Sequence, residues 1–206
     1  MSSFARCVLA SVVLGLSFLQ TAAAADVLDP ETLVRQTSER MLSVLKEQHD
    51  VIKAEPARLY GLVDDIVLPH FDFERMARWV LGKNWRQATP EQQRRFVVEF
   101  RNLLVRTYGT ALLEYNDQQV RFLPLRIPAD AQEVTVRTEV QKPGGLPIAI
   151  NYSMYRRDDG WKVYDVVIDG ISLVANYRTD FSAQIRSGGI DALIARIAER
   201  NAQGGT

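Results

Sequence analysis

The residues with the clearest potential for chemistry are a run of alternating polar side chains and a pair of aspartates. His70, Asp72 and Glu74 are spaced like metal ligands, but Asp72 is also well placed to cap a helix, and we expect that role instead. Asp165 and Asp169 lie on one face of a predicted strand, roughly 13 Å apart, which is too far for the paired carboxylates of a typical glycosidase. We therefore predict neither a metal site nor a catalytic site.

Other signs of catalysis are weak. Asp64 and Asp65 fit the solvent side of a helix, and the sequence contains no nucleophile elbow, phosphate loop or dinucleotide fingerprint. A single carboxylate in an apolar pocket leaves no motif, so an enzyme that uses such a pocket as its active site is the alternative hypothesis. A pure interaction module, with its apolar faces fully interdigitated, is a second alternative.

The N-terminal segment has the pattern of a secretory signal. Arg6 precedes an apolar run of 13 residues from Cys7 to Leu19, and small residues at Ala24 and Ala25 offer a cleavage site. The run is shorter than the roughly 20 residues that span a bilayer, which disfavours an uncleaved anchor. We predict a signal peptide over residues 1–25 and a soluble exported protein.

Removal of this segment changes the composition. Cys7 is the only cysteine, so the exported chain must be stabilised by its core without disulfides. The whole chain has 25 basic and 25 acidic residues, and loss of Arg6 leaves a net charge of −1. This balance argues against nucleic-acid binding and against a polybasic membrane segment.

Helix signals dominate the first half of the exported chain. Asp29 before Pro30, Asp72, and Thr89 before Pro90 are predicted caps, and Gln92 completes a capping box after Thr89. The helix after Asp72 is predicted to present Met76, Trp79 and Val80 on its apolar face and to stop at Gly82. The longest helix is predicted to keep one apolar face from Phe96 through Thr107 and Ala111 to Tyr115.

The second half has the period of strands. Alternating segments at Glu133 to Gln141, at Ile148 to Tyr155 and after Gly160 predict an antiparallel meander with one solvent-exposed face, preceded by a short strand around Val120. Helices before and after Gly188-Gly189 are expected to close the apolar face. The predicted fold is α+β in a single domain over residues 26–201, helical over about 29–116, with sheet and closing helices over about 119–201 and a flexible tail at 202–206.

Two long segments resemble the MlaC family of periplasmic phospholipid-binding shuttles, also called toluene-tolerance proteins. The first reads Gly82-x-x-Trp85-Arg86-x-Ala88-Thr89-Pro90-x-Gln92-Gln93-x-Arg95-Phe96. The second reads Gly160-Trp-Lys-Val-Tyr-Asp-Val-x-Ile-x-Gly170-Ile-Ser-Leu-Val-x-Asn-Tyr-Arg178. The order of signal peptide, helical front, long helix, antiparallel sheet and closing helices is also similar.

The resemblance implies a cone like that of nuclear transport factor 2, with a helical subdomain and an apolar pocket between sheet and helices. It implies glycerophospholipid as cargo, with no cofactor and no metal. The implied partners are an inner-membrane ABC transporter complex, through its MCE-domain component, and an outer-membrane lipoprotein–porin complex. The implied role is the maintenance of outer-membrane lipid asymmetry by a monomer.

Within such a pocket, the candidate lining residues come from the apolar face of the sheet and from facing helices. They are Val63, Val67, Met76, Val80, Leu103, Leu104, Val134, Val136, Ile148, Ile150, Tyr152, Tyr164, Val166, Ile168 and Tyr177.

Overall fold

The structure, a computed structural model, describes residues 28–114, 119–141 and 144–203. The predicted signal peptide with its cleavage site at Ala24 or Ala25 lies outside these residues, as does Tyr115. The helices are α1 (Pro30–Glu47), α2 (His49–Ala54), α3 (Ala57–Ile66), α4 (Phe73–Leu81), α5 (Lys83–Gln87), α6 (Pro90–Gly109) and α7 (Leu173–Gln203), with 3₁₀ turns at Leu68–His70 and Thr110–Glu114.

The strands form one antiparallel sheet in which each strand pairs with the next along the chain. The meander and the α+β class are therefore confirmed. A two-residue strand at the edge, β5, was not anticipated. The strands are β1 (Gln119–Phe122), β2 (Glu133–Gln141), β3 (Ile148–Arg157), β4 (Gly160–Ile168) and β5 (Ile171–Ser172).

The predicted helix caps are confirmed. The carboxylates of Asp29 and Asp72 each accept a hydrogen bond from the backbone N–H three residues later, at 3.0 and 2.8 Å. Thr89 and Gln92 form a capping box, in which each side chain accepts the backbone N–H of the other. These bonds satisfy donors that a helix start leaves free, so short sequence patterns are sufficient to place α1, α4 and α6.

The face of α6 is shorter than predicted, because the α-helix ends at Gly109. An added Cβ on Gly109 would lie 3.8 Å from the Tyr60 ring, so α3 packs closely against this end of α6. Thr107 and Ala111, which the pattern placed on the apolar face, are exposed. Leu112 in the following 3₁₀ turn still packs against apolar residues, which explains why the hydrophobic spacing continues beyond the helix.

Trp79 is also placed differently from the prediction. The buried face of α4 consists of Met76, Ala77, Val80 and Leu81, and the Trp79 side chain on the flank of that face is 47% exposed. Successive residues of a helix are rotated by about 100° around its axis. Trp79 therefore lies beside the buried stripe and not within it.

The corner between α4 and α6 is built by residues of the first family-like segment. Trp85 lies in the short helix α5. The side-chain amide of Gln93 donates to the carbonyl oxygens of Trp85 and Ala88, at 2.8 and 3.4 Å. Gln92 donates to Asp191 of α7 at 2.8 Å, so the same corner also positions the closing helix.

Helix α7 consists of two arms, residues 173–188 and 190–203, because Gly189 has non-helical angles of φ 79° and ψ 173°. This break confirms the predicted change at Gly188-Gly189. The second arm continues to Gln203 and so includes the first two residues of the segment expected to form a tail. Among the described residues, no helix has the length and apolar character that crossing a membrane requires.

The buried apolar residues form two clusters. The main cluster joins α4, α6 and α7 to the sheet, and it contains Phe96, Phe100, Val136, Met154 and Val163 among others. The second cluster lies within the helical front and consists of Met41, Leu45, Ile52, Leu59, Val63 and Ile66. The helical front therefore has its own small core beside the sheet-and-helix core.

Gly82 provides a test of this packing. It has φ 54° and ψ −121°, a conformation that L-residues rarely adopt, and an added Cβ would lie 3.3 Å from the Arg178 guanidinium. We expect Gly82→Ala to lower the free energy of unfolding by about 1–3 kcal/mol in urea denaturation.

Gly61→Ala is the matched control, since Gly61 lies within α3 with no atom within 4 Å of an added Cβ. It should raise the free energy of unfolding by about 0.5–1 kcal/mol. Equal urea midpoints for Gly82→Ala and the parent protein would contradict the role given to this glycine.

Candidate functional site

The two aspartates with catalytic potential are used to hold the chain in place. Asp165 accepts hydrogen bonds from the Ser172 hydroxyl at 2.6 Å and from the Val174 N–H at 3.1 Å, which fixes the start of α7. Asp169, at φ 47°, accepts from the Ala149 N–H at 2.9 Å. Both carboxylates therefore have structural partners.

The alternating run at His70 does not assemble ligands either. Asp72 caps α4 and accepts a hydrogen bond from the Tyr155 hydroxyl, while Glu74 pairs with Arg78 on the same helix. Burial lowers the pKa of His70, and the nearby Lys162 ammonium adds to this effect. No group of three or more His, Cys, Asp or Glu in the described part of the chain is arranged to hold a metal ion.

The apolar face of the sheet is the feature that brings most candidate residues together. Paired residues of antiparallel strands share a face, so Val136, Tyr152 and Val166 lie side by side, as do Ile150 and Ile168. We call this the inner face. The candidate residues that belong to the main cluster or pack against it are Met76, Val80, Leu103, Leu104, Val134, Val136, Ile150, Tyr152, Tyr164, Val166, Ile168 and Tyr177.

Three candidates lie elsewhere. Val63 belongs to the second cluster, and Val67 packs against it. Ile148 is half-buried and belongs to neither cluster, although its pairing with Val140 continues the row of apolar residues on the inner face. The candidates thus extend over both cores.

A β-bulge separates Tyr164 from the inner face. The pairing skips Tyr164, with Ser153 opposite Asp165 and Met154 opposite Val163. The alternation of side chains is shifted at this point, so Val163 takes the inward position for which the sequence period predicted Tyr164. The placement of Tyr164 beside Val166 and Ile168 was therefore wrong.

The inner face is covered unevenly. At one end, Met154, Val163 and Trp161 are at most 6% exposed. Toward the other end, Ile150 and Ile168 keep part of their surface accessible although they point the same way. Helices α4 and α7 contact β4, but the apolar surface around the start of β3 is only partly covered.

Tyr152 lies between these two ends. Burial raises the pKa of its phenol, while a hydrogen bond with the Thr138 side chain acts in the opposite direction. Part of the Tyr152 surface nevertheless remains accessible. Tyr152 is therefore only partly covered, like Ile150 and Ile168 on the same face.

The closing helix fills the other side of the core with aromatic rings. Tyr177 and Phe181 pack with their centroids 5.4 and 6.2 Å from that of Phe100. Tyr177 also shares a hydrogen bond with Tyr108, and burial raises the pKa of Tyr108 to about 12. Tyr177 is 8% exposed, so the structure places it within a packed aromatic cluster.

A surface groove of about 370 Å³ lies between the two arms of α7, where no sequence pattern indicated one. The apolar residues that line the groove are Leu103, Phe181 and Ile197, and of these Leu103 is also a candidate lipid-lining residue. Charged and amide side chains such as Arg196 and Glu199 form its rim. The groove depends on the bend at Gly189, which has no signature beyond the two glycines.

Comparison with known proteins identifies the family. A sequence profile described as MlaC protein matches residues 35–199. The toluene tolerance protein ttg2D of Pseudomonas putida is 29% identical over 163 residues, which are 79% of this chain and 75% of that protein. The intermembrane phospholipid transport system binding protein MlaC of Haemophilus influenzae is 25% identical over 190 residues, covering 91% and 89% of the two chains.

A solved structure agrees with this assignment. The phospholipid-binding protein of Ralstonia solanacearum, determined in complex with a phospholipid, is 35% identical and superposes with a TM-score of 0.80. The match covers 87% of this chain and all of that chain. With a family match over residues 35–199 and a shared fold over 87% of its length, the chain belongs to the MlaC family.

Proposed function

We propose that this chain is a periplasmic phospholipid-binding protein that carries glycerophospholipid between the inner and outer membranes and so maintains outer-membrane lipid asymmetry. The observation that carries this proposal is the likeness, over 87% of this chain, to the Ralstonia solanacearum protein that was solved with a phospholipid bound. The name of the Haemophilus influenzae relative, an intermembrane phospholipid transport system binding protein, supports the transport role.

The acyl chains are proposed to lie against the partly covered end of the inner face. Ile148, Ile150 and Ile168 are half-buried there, with half-buried Tyr152 next along the inner face, and each would lose its remaining accessible surface to an acyl chain. The deeply buried candidates, including Met76, Val80 and Val136, are proposed to form the floor behind this layer.

A cation lies beside the same region. The Arg35 guanidinium of α1 stacks 3.9 Å from the centroid of Phe122, and Phe122 pairs with Thr138 on the inner face. We propose that the phospholipid phosphate lies on this side, where Arg35 can contact it while its ion pair with Glu31 holds the side chain in place.

The energetics fit a carrier that exchanges lipid only on contact. Two acyl chains of about 16 carbons contain roughly 28 methylenes at about 0.8 kcal/mol each, or about 20 kcal/mol on leaving water. Release into water is then very slow, whereas a bilayer or another lipid-binding protein offers nearly the same transfer free energy. Docking would decide the direction of transfer.

The proposed partners are the inner-membrane ABC transporter complex, through its MCE-domain component, and the outer-membrane lipoprotein–porin complex. Export by the segment that ends at Ala24 or Ala25 would place the chain between these two membranes. We propose binding and transfer without catalysis, by a monomer.

Cargo is tested by organic extraction and mass spectrometry of the protein purified without detergent. We expect close to one equivalent of glycerophospholipid. The apolar surface around Ile150 is still partly accessible, and an acyl chain would remove it from water. Protein that contains no phospholipid and takes up none from liposomes would contradict the proposed function.

The position of the cargo is tested by Ile150→Trp. In a lipid pocket, the larger ring takes the place of acyl carbons, so bound phospholipid should fall several-fold while the melting temperature changes little. In a fully packed core, the same change would overpack and destabilise the protein by about 1–3 kcal/mol.

Asn151→Trp is the matched control, since residue 151 follows in the same strand and points to the opposite face. It should leave the lipid content unchanged. If Ile150→Trp lowers stability with no loss of lipid, Ile150 belongs to the core and the pocket lies elsewhere.

A further inference from the structure

Trp79 is unusual among the tryptophans of the chain. Trp161 is 6% exposed and Trp85 is half-buried, whereas Trp79 is 47% exposed. Its ring is nevertheless held in position, because it packs against Tyr164 with centroids 5.3 Å apart and the Arg75 guanidinium lies 5.8 Å from it. The protein therefore presents a rigidly held indole to solvent.

Several cationic residues lie close to Trp79 along the chain. Arg75 and Arg78 form ion pairs with Glu133 and Glu74, so their charges are balanced. Lys83 and Arg86 follow in α5, directly after the Gly82 break and three residues apart, and both are exposed. Neither forms an ion pair with any residue in the described ranges.

A third cation comes from a distant part of the sequence. Arg178, in the first arm of α7, lies against Gly82, and its guanidinium would be 3.3 Å from a Cβ there. It is exposed and likewise lacks an ion pair within the described residues. We define the Trp79 corner as Trp79, Lys83, Arg86 and Arg178. The fold thus concentrates three unbalanced positive charges in a chain whose overall charge is zero.

The chemistry of this corner fits the head-group layer of an anionic bilayer. Indole rings partition to the boundary between head groups and acyl chains, because they combine a large apolar body with one N–H donor. Lys and Arg near that boundary are attracted by the negative surface potential of anionic lipids. The long side chains of Lys83 and Arg86 can adjust to a fluid surface, since neither is fixed by an ion pair to the described residues.

We propose that the Trp79 corner docks the protein on anionic phospholipid head groups, with the Trp79 ring inserted at the boundary of the layer. This goes beyond the proposed function, which concerns the cargo, since docking concerns the outside of the molecule. Three cations and one indole give weak, reversible binding that salt screens. Such a contact suits a carrier that must leave each membrane again.

The test uses the full exported chain with its cargo as purified. The vesicles consist of phosphatidylcholine alone or with about 30 mol% phosphatidylglycerol, an anionic lipid that gives the surface a negative potential. Co-sedimentation should occur with the phosphatidylglycerol vesicles, and it should weaken as the salt concentration rises. K83Q/R86Q should lower the partition coefficient about 25-fold, since each cation contributes about a five-fold factor.

R126Q/R196Q is the matched control, because it removes the same charge from exposed positions outside the corner. It should bind much as the parent protein does. Trp79→Phe should remove most of the blue shift of tryptophan fluorescence on vesicle binding, since Trp161 is buried and Trp85 is half-buried. Equal loss of vesicle binding in K83Q/R86Q and R126Q/R196Q, or a blue shift of undiminished size in Trp79→Phe, would overturn the proposal.

Cargo and docking are separated by measuring phospholipid content in every variant by mass spectrometry. If K83Q/R86Q loses vesicle binding but keeps its full phospholipid content, the assignment of the Trp79 corner to docking is supported. Absence of docking in the parent protein when cargo is present overturns the membrane proposal alone, and it would leave an acidic protein surface as the better partner for the corner. A parent protein without cargo would count against the proposed function and not against docking.

Discussion

The structure depends on how the apolar face of one antiparallel sheet is kept from water. A sheet with alternating side chains has one face that must be buried. In this chain that face is covered by helices that precede the strands in the sequence and by the helix that follows them. At the end formed by Met154 and Val163 the cover is complete. Around Ile150 and Ile168 the cover is partial, so part of the apolar surface of the sheet stays accessible.

The cover itself is positioned by polar groups that could have suggested catalysis. Asp165 holds the start of α7 through the Ser172 hydroxyl and the Val174 N–H, and Asp72 holds the start of α4. Each carboxylate satisfies backbone donors that the helix start would otherwise leave free. The aromatic cluster of Phe100, Tyr177 and Phe181 then packs the oriented helices against each other.

The same framework gives the outside of the molecule a distinct character. The bulge in β4 turns Tyr164 away from the inner face. On the other side of the sheet its ring packs against Trp79 and the Arg75 guanidinium. Arg178 reaches the Gly82 turn because α7 folds back along α4. One local irregularity of the sheet therefore separates an apolar interior from a cationic, aromatic exterior within a single strand.

The sequence by itself was sufficient for features that depend on neighbours along the chain. Caps at Asp29, Asp72 and Thr89, the strand bounds of β2 and the break at Gly189 follow from hydrogen bonds and backbone preferences within a few residues, and all are confirmed. The α+β class follows from the order of these elements. The family also follows from sequence, through two segments in which Gly, Trp and Pro recur at fixed spacing.

Tertiary structure alone decided which apolar residues are buried and which remain accessible. Tyr164 left the inner face because of a bulge, which depends on the pairing of two strands and not on the period of one. Val63 joined a separate core, Trp79 was left exposed at the edge of a buried stripe, and Arg178 met Gly82 across nearly a hundred residues of sequence. Periodicity reports that a face is apolar; only the packing of other elements determines whether that face is filled by the protein or left for a ligand.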